Sequence, residues 1–170
     1  MELFKSLFHV TIFCNDIDKT IEFYEKLGFR LIFKMSEDGG VPWNYYMKIA
    51  AGQYIEIQPC KGGNPHPHPE STQYYYDQSI WHFALETPDI ENMITVLLSR
   101  GLELWYDGDK SKPVNAPDEY LLGPDGCKIC WVFDPDGTPI ELMEQSHTSM
   151  QHIYDPDSYL PQGFDAGSFQ

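Results

Sequence analysis

The chain has 170 residues, enough for one domain with a real core or for two small modules that share one. With 42% hydrophobic residues it is not a disordered chain, and its formal net charge of −15 repels phosphate backbones and anionic lipids, so neither a nucleic-acid nor a membrane partner is expected. The apolar stretches are strand-sized, and the N-terminal MELFKSLFHVTIF lacks a long apolar run ending in a small-residue cleavage site, which predicts a cytoplasmic protein.

In chain order, the first predicted element is a strand over residues 7–14. A helix follows, entered through Asn15-Asp16 with Asp16 as cap. Its apolar residues Ile17, Ile21, Tyr24 and Leu27 recur at helical spacing, and Gly28 supplies a left-handed C-terminal cap. Strands are predicted at 29–35, 44–50 and 53–58, the last two joined by Ala51-Gly52. Residues 60–78 read as a linker. Within it His66 and His68 lie in a stiff Pro-His-Pro-His-Pro run with no carboxylate beside them, a poor setting for a second metal site.

A second strand-and-helix pair begins at 80–86. Thr87 is the expected cap, Pro88 the first helical residue, Ile90, Ile94, Leu97 and Leu98 the apolar face, and Gly101 the stop. Strands follow at 102–106, weakly at 117–122, and at 128–133. The turn Asp134-Pro135-Asp136-Gly137 leads to a last strand, 139–144. Residues 107–126, rich in Gly, Pro, Asp and Lys, read as an insertion. The tail from 146 is polar but carries Tyr154, Tyr159 and Phe164, which suit docking on the domain.

The cysteines are Cys14, Cys60, Cys127 and Cys130. The last two form a C-x-x-C at the start of a predicted strand. Residues three apart on a strand face opposite sides, which disfavours a shared metal or disulfide.

The two halves are copies of one module. FHVTIFCNDIDKTIEFYEKLGFRLIF aligns with WHFALETPDIENMITVLLSRGLELWY, and His9/His82, Ile17/Ile90, Ile21/Ile94 and Gly28/Gly101 all keep an offset of 73 positions. Each copy reads as βαβββ. The predicted class is α+β, two βαβββ modules pairing their sheets around a metal-binding cup. One domain spans 1–145, with modules 7–58 and 80–145, followed by a C-terminal tail, 146–170.

Four polar residues interrupt these strands. His9 lies between Phe8 and Val10, Glu56 between Ile55 and Ile57, His82 between Trp81 and Phe83, and Glu141 between Ile140 and Leu142. If the apolar neighbours pack on a helix, the polar residue points to the other face. Each copy thus offers a His from its first strand and a Glu from its last. Alone, a strand Glu is usually solvated and a strand His usually a satisfied side chain; the shared register across two copies favours a ligand set. Two carboxylates in one partly desolvated cup repel, and a divalent cation cancels both charges while accepting both imidazoles. His₂Glu₂ suits one Ni, Zn, Co, Mn or Fe ion.

With these residues in place, the sequence resembles the glyoxalase / bleomycin-resistance / extradiol-dioxygenase group, the vicinal oxygen chelate superfamily, over residues 7–145. The motifs that carry the resemblance are FHVTIFCNDIDKTIEFYEKLGF, YIEI, WHFALE and FDPDGTPIELME. The His, Glu, His, Glu pattern is closest to glyoxalase I-like metalloenzymes. Extradiol dioxygenases of this fold use two His and one Glu around iron, bleomycin-binding members lack the metal set, and methylmalonyl-CoA epimerases usually carry Gln where Glu56 stands. The resemblance implies a lyase or isomerase that turns over a small hydroxy-carbonyl substrate through a metal-bound enediolate, and a homodimer. Glu141 would loosen from the metal and move the proton, with Glu56 as its partner. Glutathione-using members typically carry an arginine where this chain has Phe13 and often an asparagine where it has Cys60. The chain's two arginines, Arg30 and Arg100, both flank helix C-termini. That pattern points away from glutathione adducts. Two other readings stand beside this one: a ring-cleaving dioxygenase, and a non-catalytic small-molecule-binding or resistance protein of the same fold. Trp43, Tyr45, Tyr74, Tyr75, Tyr76, Trp105, Tyr120 and Trp131 fit either stacking on a substrate or packing between modules.

Overall fold

The computed structural model describes residues 3, 6–61 and 80–155. The His66/His68 run, Tyr74 to Tyr76, Tyr159 and Phe164 lie outside the described residues. The chain forms two compact units: Met1–His68 together with Asp134–Thr138, and Pro69–Phe133 together with Pro139–Gln170.

The first unit contains β1 (His9–Cys14), α1 (Ile17–Leu27), β2 (Arg30–Met35), β3 (Asn44–Ala50) and β4 (Gln53–Pro59). Its sheet has the order β1-β4-β3-β2, with β1 parallel to β4 and the other pairs antiparallel. Helix α1 starts where the Asp16 carboxylate accepts the Lys19 N–H, and it stops at Gly28, whose φ of 108° only glycine adopts without strain. Ile12, Cys14, Ile55, Ile57 and Met47 are buried with Tyr24 of the helix and Phe29 after it. Thr11 and Phe13, the alternate residues of β1, are exposed.

The turn from Asp134 to Thr138 completes this unit. The Tyr24 hydroxyl, fully buried, donates to Asp134 Oδ2 at 3.2 Å, and Asp134 Oδ1 accepts the backbone N–H groups of Asp136 and Thr138. Asp136 in turn accepts the backbone and side-chain N–H of Asn15. Burial pushes the Asp134 carboxyl above its ordinary pKa, against the opposing pull of the Thr138 bonds.

The second unit contains β5 (Phe83–Glu86), α2 (Ile90–Ser99), β6 (Leu104–Trp105), β7 (Pro113–Val114), β8 (Leu121–Leu122), β9 (Lys128–Phe133), β10 (Pro139–Glu144) and α3 (Met150–Tyr154). The sheet order is β5-β10-β9-β6-β7, with β8 also pairing β9. β5 runs parallel to β10, repeating the β1/β4 arrangement. Ile90, Ile94 and Leu97 of α2 are buried, as are Ile140, Leu142, Cys130 and Val132 of the sheet. The fold is thus α+β, built from two βαβββ modules.

Four details differ from the sequence reading. The cap of α2 is Asp89, which accepts the Asn92 N–H; Thr87 instead accepts the Asp89 N–H, and Pro88 precedes the cap. The Ile90 N–H is taken by the Glu144 carboxylate, a cap from a distant strand that no local motif announces. The expected strand 80–86 begins only at Phe83, and 102–106 contributes only Leu104–Trp105. Within the 107–126 insertion β7 is an unexpected strand, whereas β8 realises the last two residues of the weak strand expected at 117–122.

Residues 146–155 dock on the 125–127 loop. Met150 N–H donates to the Asp125 carbonyl, Gln151 Nε2 to the Asp125 carboxylate, and a Cβ on Gly126 would stand 3.0 Å from the Thr148 carbonyl oxygen. All four cysteines are free thiols, and burial pushes Cys127 up to about 11 and Cys130 up to about 12, far from a reactive thiolate. Among the described residues no helix is long and apolar enough to cross a membrane.

Tyr24→Phe deletes one buried donor while leaving Asp134 its two backbone bonds, so a loss of about 1–2 kcal/mol is expected. Asp134→Ala, which strips the turn of all three, is expected to cost more. Urea unfolding with an unchanged slope reads both; equal stability of Tyr24→Phe and the wild type would remove this bond from the account of the fold.

Candidate functional site

In the first unit three strands carry one polar cluster. Glu56 on β4 stands directly between Thr11 of β1 and Tyr46 of β3 in register, and His9 lies two residues before Thr11 on the same face. Their neighbours Ile55 and Ile57 are buried on the opposite face. The Thr11 hydroxyl donates to Glu56 Oε2 at 2.8 Å, and His9 Nε2 faces the same oxygen at 3.6 Å. His9 Nδ1 and the Tyr46 hydroxyl are hydrogen-bonded at 2.9 Å. Partial burial pushes the Glu56 carboxyl upward. The hydrogen bonds from Thr11 and Asn44, with His9 and Tyr46 nearby, outweigh it and hold the group below its ordinary pKa.

The second unit repeats the pair with a different surround. Glu141 on β10 lies between Ala84 of β5 and Trp131 of β9, and His82 Nε2 faces Glu141 Oε2 at 3.4 Å. Ala84 has no donor to match Thr11. Trp131 takes the place of Tyr46 and is buried, its ring stacked on Trp81 at 5.5 Å and set edge-on to His82 at 4.9 Å. Gly108 permits this, since a Cβ there would lie 3.3 Å from the Trp81 ring. Among the described residues the Glu141 carboxylate has His82 as its ion-pair partner and the Cys127 thiol as an electrostatic neighbour, with no hydroxyl or amide donor on it. His82 Nδ1 is buried without a hydrogen-bond partner among the described residues.

The four residues singled out in the sequence are therefore brought together as two His–Glu pairs, one in each unit. Among the described residues no group of three or more His, Cys, Asp or Glu is arranged to hold a metal. Each pair nevertheless has the right donors, His82–Glu141 at a chelating spacing and His9–Glu56 slightly wider. Two ligands bound to one cation at about 2.1 Å stand roughly 3.0–3.4 Å apart at octahedral to tetrahedral angles, against 3.6 and 3.4 Å here. In both pairs the facing ring atom is Nε2.

Sequence reading missed Thr11, Asn44, Tyr46 and Trp81. Tyr46 stands in a Tyr-Tyr run in which the register decides which ring meets the site. Tyr45 pairs with Ile57 and is core, whereas Tyr46 pairs with Glu56. Trp81 does not pack on the helix side as alternation suggested; it precedes β5 and stacks on the Glu141 side of the sheet. Of the other rings considered, Trp105 pairs with Trp131, Tyr120 contacts Glu91 and Lys128, and Trp43 lines a surface cleft with Glu37, Val41 and Lys61.

A family model described as Glyoxalase/Bleomycin resistance protein/Dioxygenase superfamily matches residues 6–142. The chain belongs to that superfamily. It is similar to the uncharacterized protein YwkD of Bacillus subtilis (strain 168), 26% identical over 144 residues that make up 84% of this chain and 99% of the relative. Among solved structures, it resembles a glyoxalase family protein from Enterococcus faecalis at 28% identity with a TM-score of 0.59, covering 84% of this chain and 100% of that one. The fold, though little of the sequence, is also that of the trypanothione-dependent glyoxalase I of Leishmania major, at 17% identity and a TM-score of 0.56, over 90% and 92% of the two chains.

A carboxylate whose pKa is lowered on folding adds stability above its unfolded pKa, near 4.5 for Glu, and that stability is lost as pH falls through the lowered folded value. Thr11→Val should raise the Glu56 pKa, cost about 1 kcal/mol near neutrality, and converge with the wild type in acid. Carboxyl carbon NMR titration reads the first effect and denaturation at several pH values the others. An unmoved Glu56 titration in Thr11→Val would show that the hydroxyl does not hold this group.

Proposed function

We propose that the protein is a metal-dependent, glyoxalase I-like lyase or isomerase acting on a small hydroxy-carbonyl compound. His9, Glu56, His82 and Glu141 hold one divalent cation, Ni, Zn, Co, Mn or Fe, and Glu141 moves the proton. The observation that carries this reading is the inequality of the two carboxylates. Glu56 is tied by Thr11 and flanked by Asn44 and Tyr46, so it is a fixed, ionised ligand. Among the described residues Glu141 has no such ties, and it is the carboxylate that turns between a ligand position and a substrate carbon.

When bound, the cation supplies positive charge to the substrate's vicinal oxygens. The chain supplies the rest. Glu141 takes the proton from the carbon that bears the hydroxyl and returns it to the neighbouring carbonyl carbon. The hydroxyl proton passes to the other oxygen, so the two carbons exchange roles with no net oxidation. Glu56 stays ionised throughout and keeps its negative charge on the cation's side of the cluster. Trp81 and Trp131 pack against His82 and limit water beside the base. Glutathione adducts are poorly suited as substrates. Phe13 stands where glutathione-using relatives carry an arginine, and Arg30 and Arg100 sit at the ends of α1 and α2.

Elemental analysis of the purified protein, beside a His9→Ala/Glu141→Ala variant, is expected to find about one such metal per chain, lost in the variant. Glu141→Gln is expected to keep the metal and lose at least about a hundredfold in turnover of hydroxy-carbonyl substrates. No metal in the wild type after reloading, or full turnover by Glu141→Gln, would overturn the proposal. Iron together with oxygen uptake on catechols would replace it with ring cleavage.

A further inference from the structure

The two histidines are held by different means. His82 is set edge-on against the stacked Trp81 and Trp131 indoles, with Nδ1 buried and, among the described residues, unpartnered. His9 Nδ1 is hydrogen-bonded to the Tyr46 hydroxyl at 2.9 Å, while its Nε2 faces Glu56. The Tyr46 ring is fixed from behind by Phe33, stacked at 4.6 Å, and beside it by Tyr54 at 5.7 Å. Tyr46 is 8% exposed, so its hydroxyl has little room to wander.

A phenol can donate or accept, which makes it a suitable partner for an imidazole that must change tautomer. With no cation bound, the Tyr46 O–H can donate to Nδ1 with the Nε2–H turned toward the negative Glu56, whose carboxylate also lies within reach of the same hydroxyl. A cation needs the Nε2 lone pair. The ring proton must then sit on Nδ1, and the Tyr46 oxygen accepts it. The phenol proton is then free to turn toward Glu56, the residue directly opposite it in register. A carboxylate at this position could not donate to Nδ1 in the first arrangement, and a phenylalanine could do neither.

We infer that Tyr46 is a positioning residue for His9: it fixes the ring so that Nε2 is the ligating nitrogen, and it reverses its hydrogen bond from donor to acceptor when the cation binds. This rests on the cation site proposed above but concerns loading, not turnover. Outer-sphere partners of ligating histidines are worth roughly 10–100-fold in metal affinity. The second module has no counterpart, because Trp131 occupies the matching place.

The test is calorimetric titration of the metal-stripped protein with Zn²⁺ and Co²⁺ in the wild type, Tyr46→Phe and Tyr54→Phe. Tyr46→Phe keeps the stacked ring and is expected to bind about 10–100-fold more weakly with an unchanged melting temperature of the metal-free form. Tyr54→Phe removes a neighbouring hydroxyl that does not touch His9 and is expected to bind within twofold of wild type. In zinc-loaded wild type, ¹⁵N-resolved NMR should show His9 ligated through Nε2 with a slowly exchanging Nδ1–H, and that proton should exchange rapidly in Tyr46→Phe. Ligation through Nδ1, or equal affinity of Tyr46→Phe and wild type, would overturn the role of Tyr46 while leaving the proposed function standing. No binding by the wild type would overturn both.

Discussion

A strand with a helix against one face has one other face on which to place a polar side chain. That constraint organises both units. Ile55 and Ile57 are fully buried on the helix side of β4, so Glu56 between them must emerge opposite, and Ile140 and Leu142 do the same for Glu141. The parallel pairing of β1 with β4 then sets His9 beside Glu56, while His82, one residue ahead of β5, reaches Glu141 from the approach to that strand. Moving either residue one place along its strand would turn it into the core, where an unpaired charge costs several kcal/mol.

The two modules share this skeleton and differ in what surrounds it. In the first, hydroxyl and amide groups flank the carboxylate and a phenol holds the imidazole. In the second, an alanine and two indoles take those places. Duplicated backbones thus carry unlike environments, one polar and fixed, the other apolar and loosely tethered. Acid–base chemistry needs such a difference, since two equivalent carboxylates cannot easily divide the tasks of holding charge and carrying a proton.

The sequence made the skeleton legible because periodicity and caps are local. Asp16, Gly28 and the strands around Glu56 and Glu141 follow from alternation and turn chemistry. What stayed hidden depends on register between distant strands. Nothing near Tyr46 distinguishes it from Tyr45 until β3 is paired with β4, and Thr11 reads as an ordinary exposed strand residue until β1 lies beside Glu56. Asp89 was overlooked for Thr87 because both are good caps and Pro88 fits more than one position at a helix entry. Trp81 broke the alternation rule because the strand had not yet begun.

The turn Asp134–Thr138 belongs by sequence to the second copy but by packing to the first unit. A fragment ending at the repeat boundary would lack Asp134 and Asp136, leaving the buried Tyr24 hydroxyl and the start of α1 without the groups that satisfy them. The internal duplication is therefore legible as two copies but not separable into two autonomous halves. Expressed apart, the pieces would behave as a complementation pair, the first gaining its full set of hydrogen bonds only when the second is present.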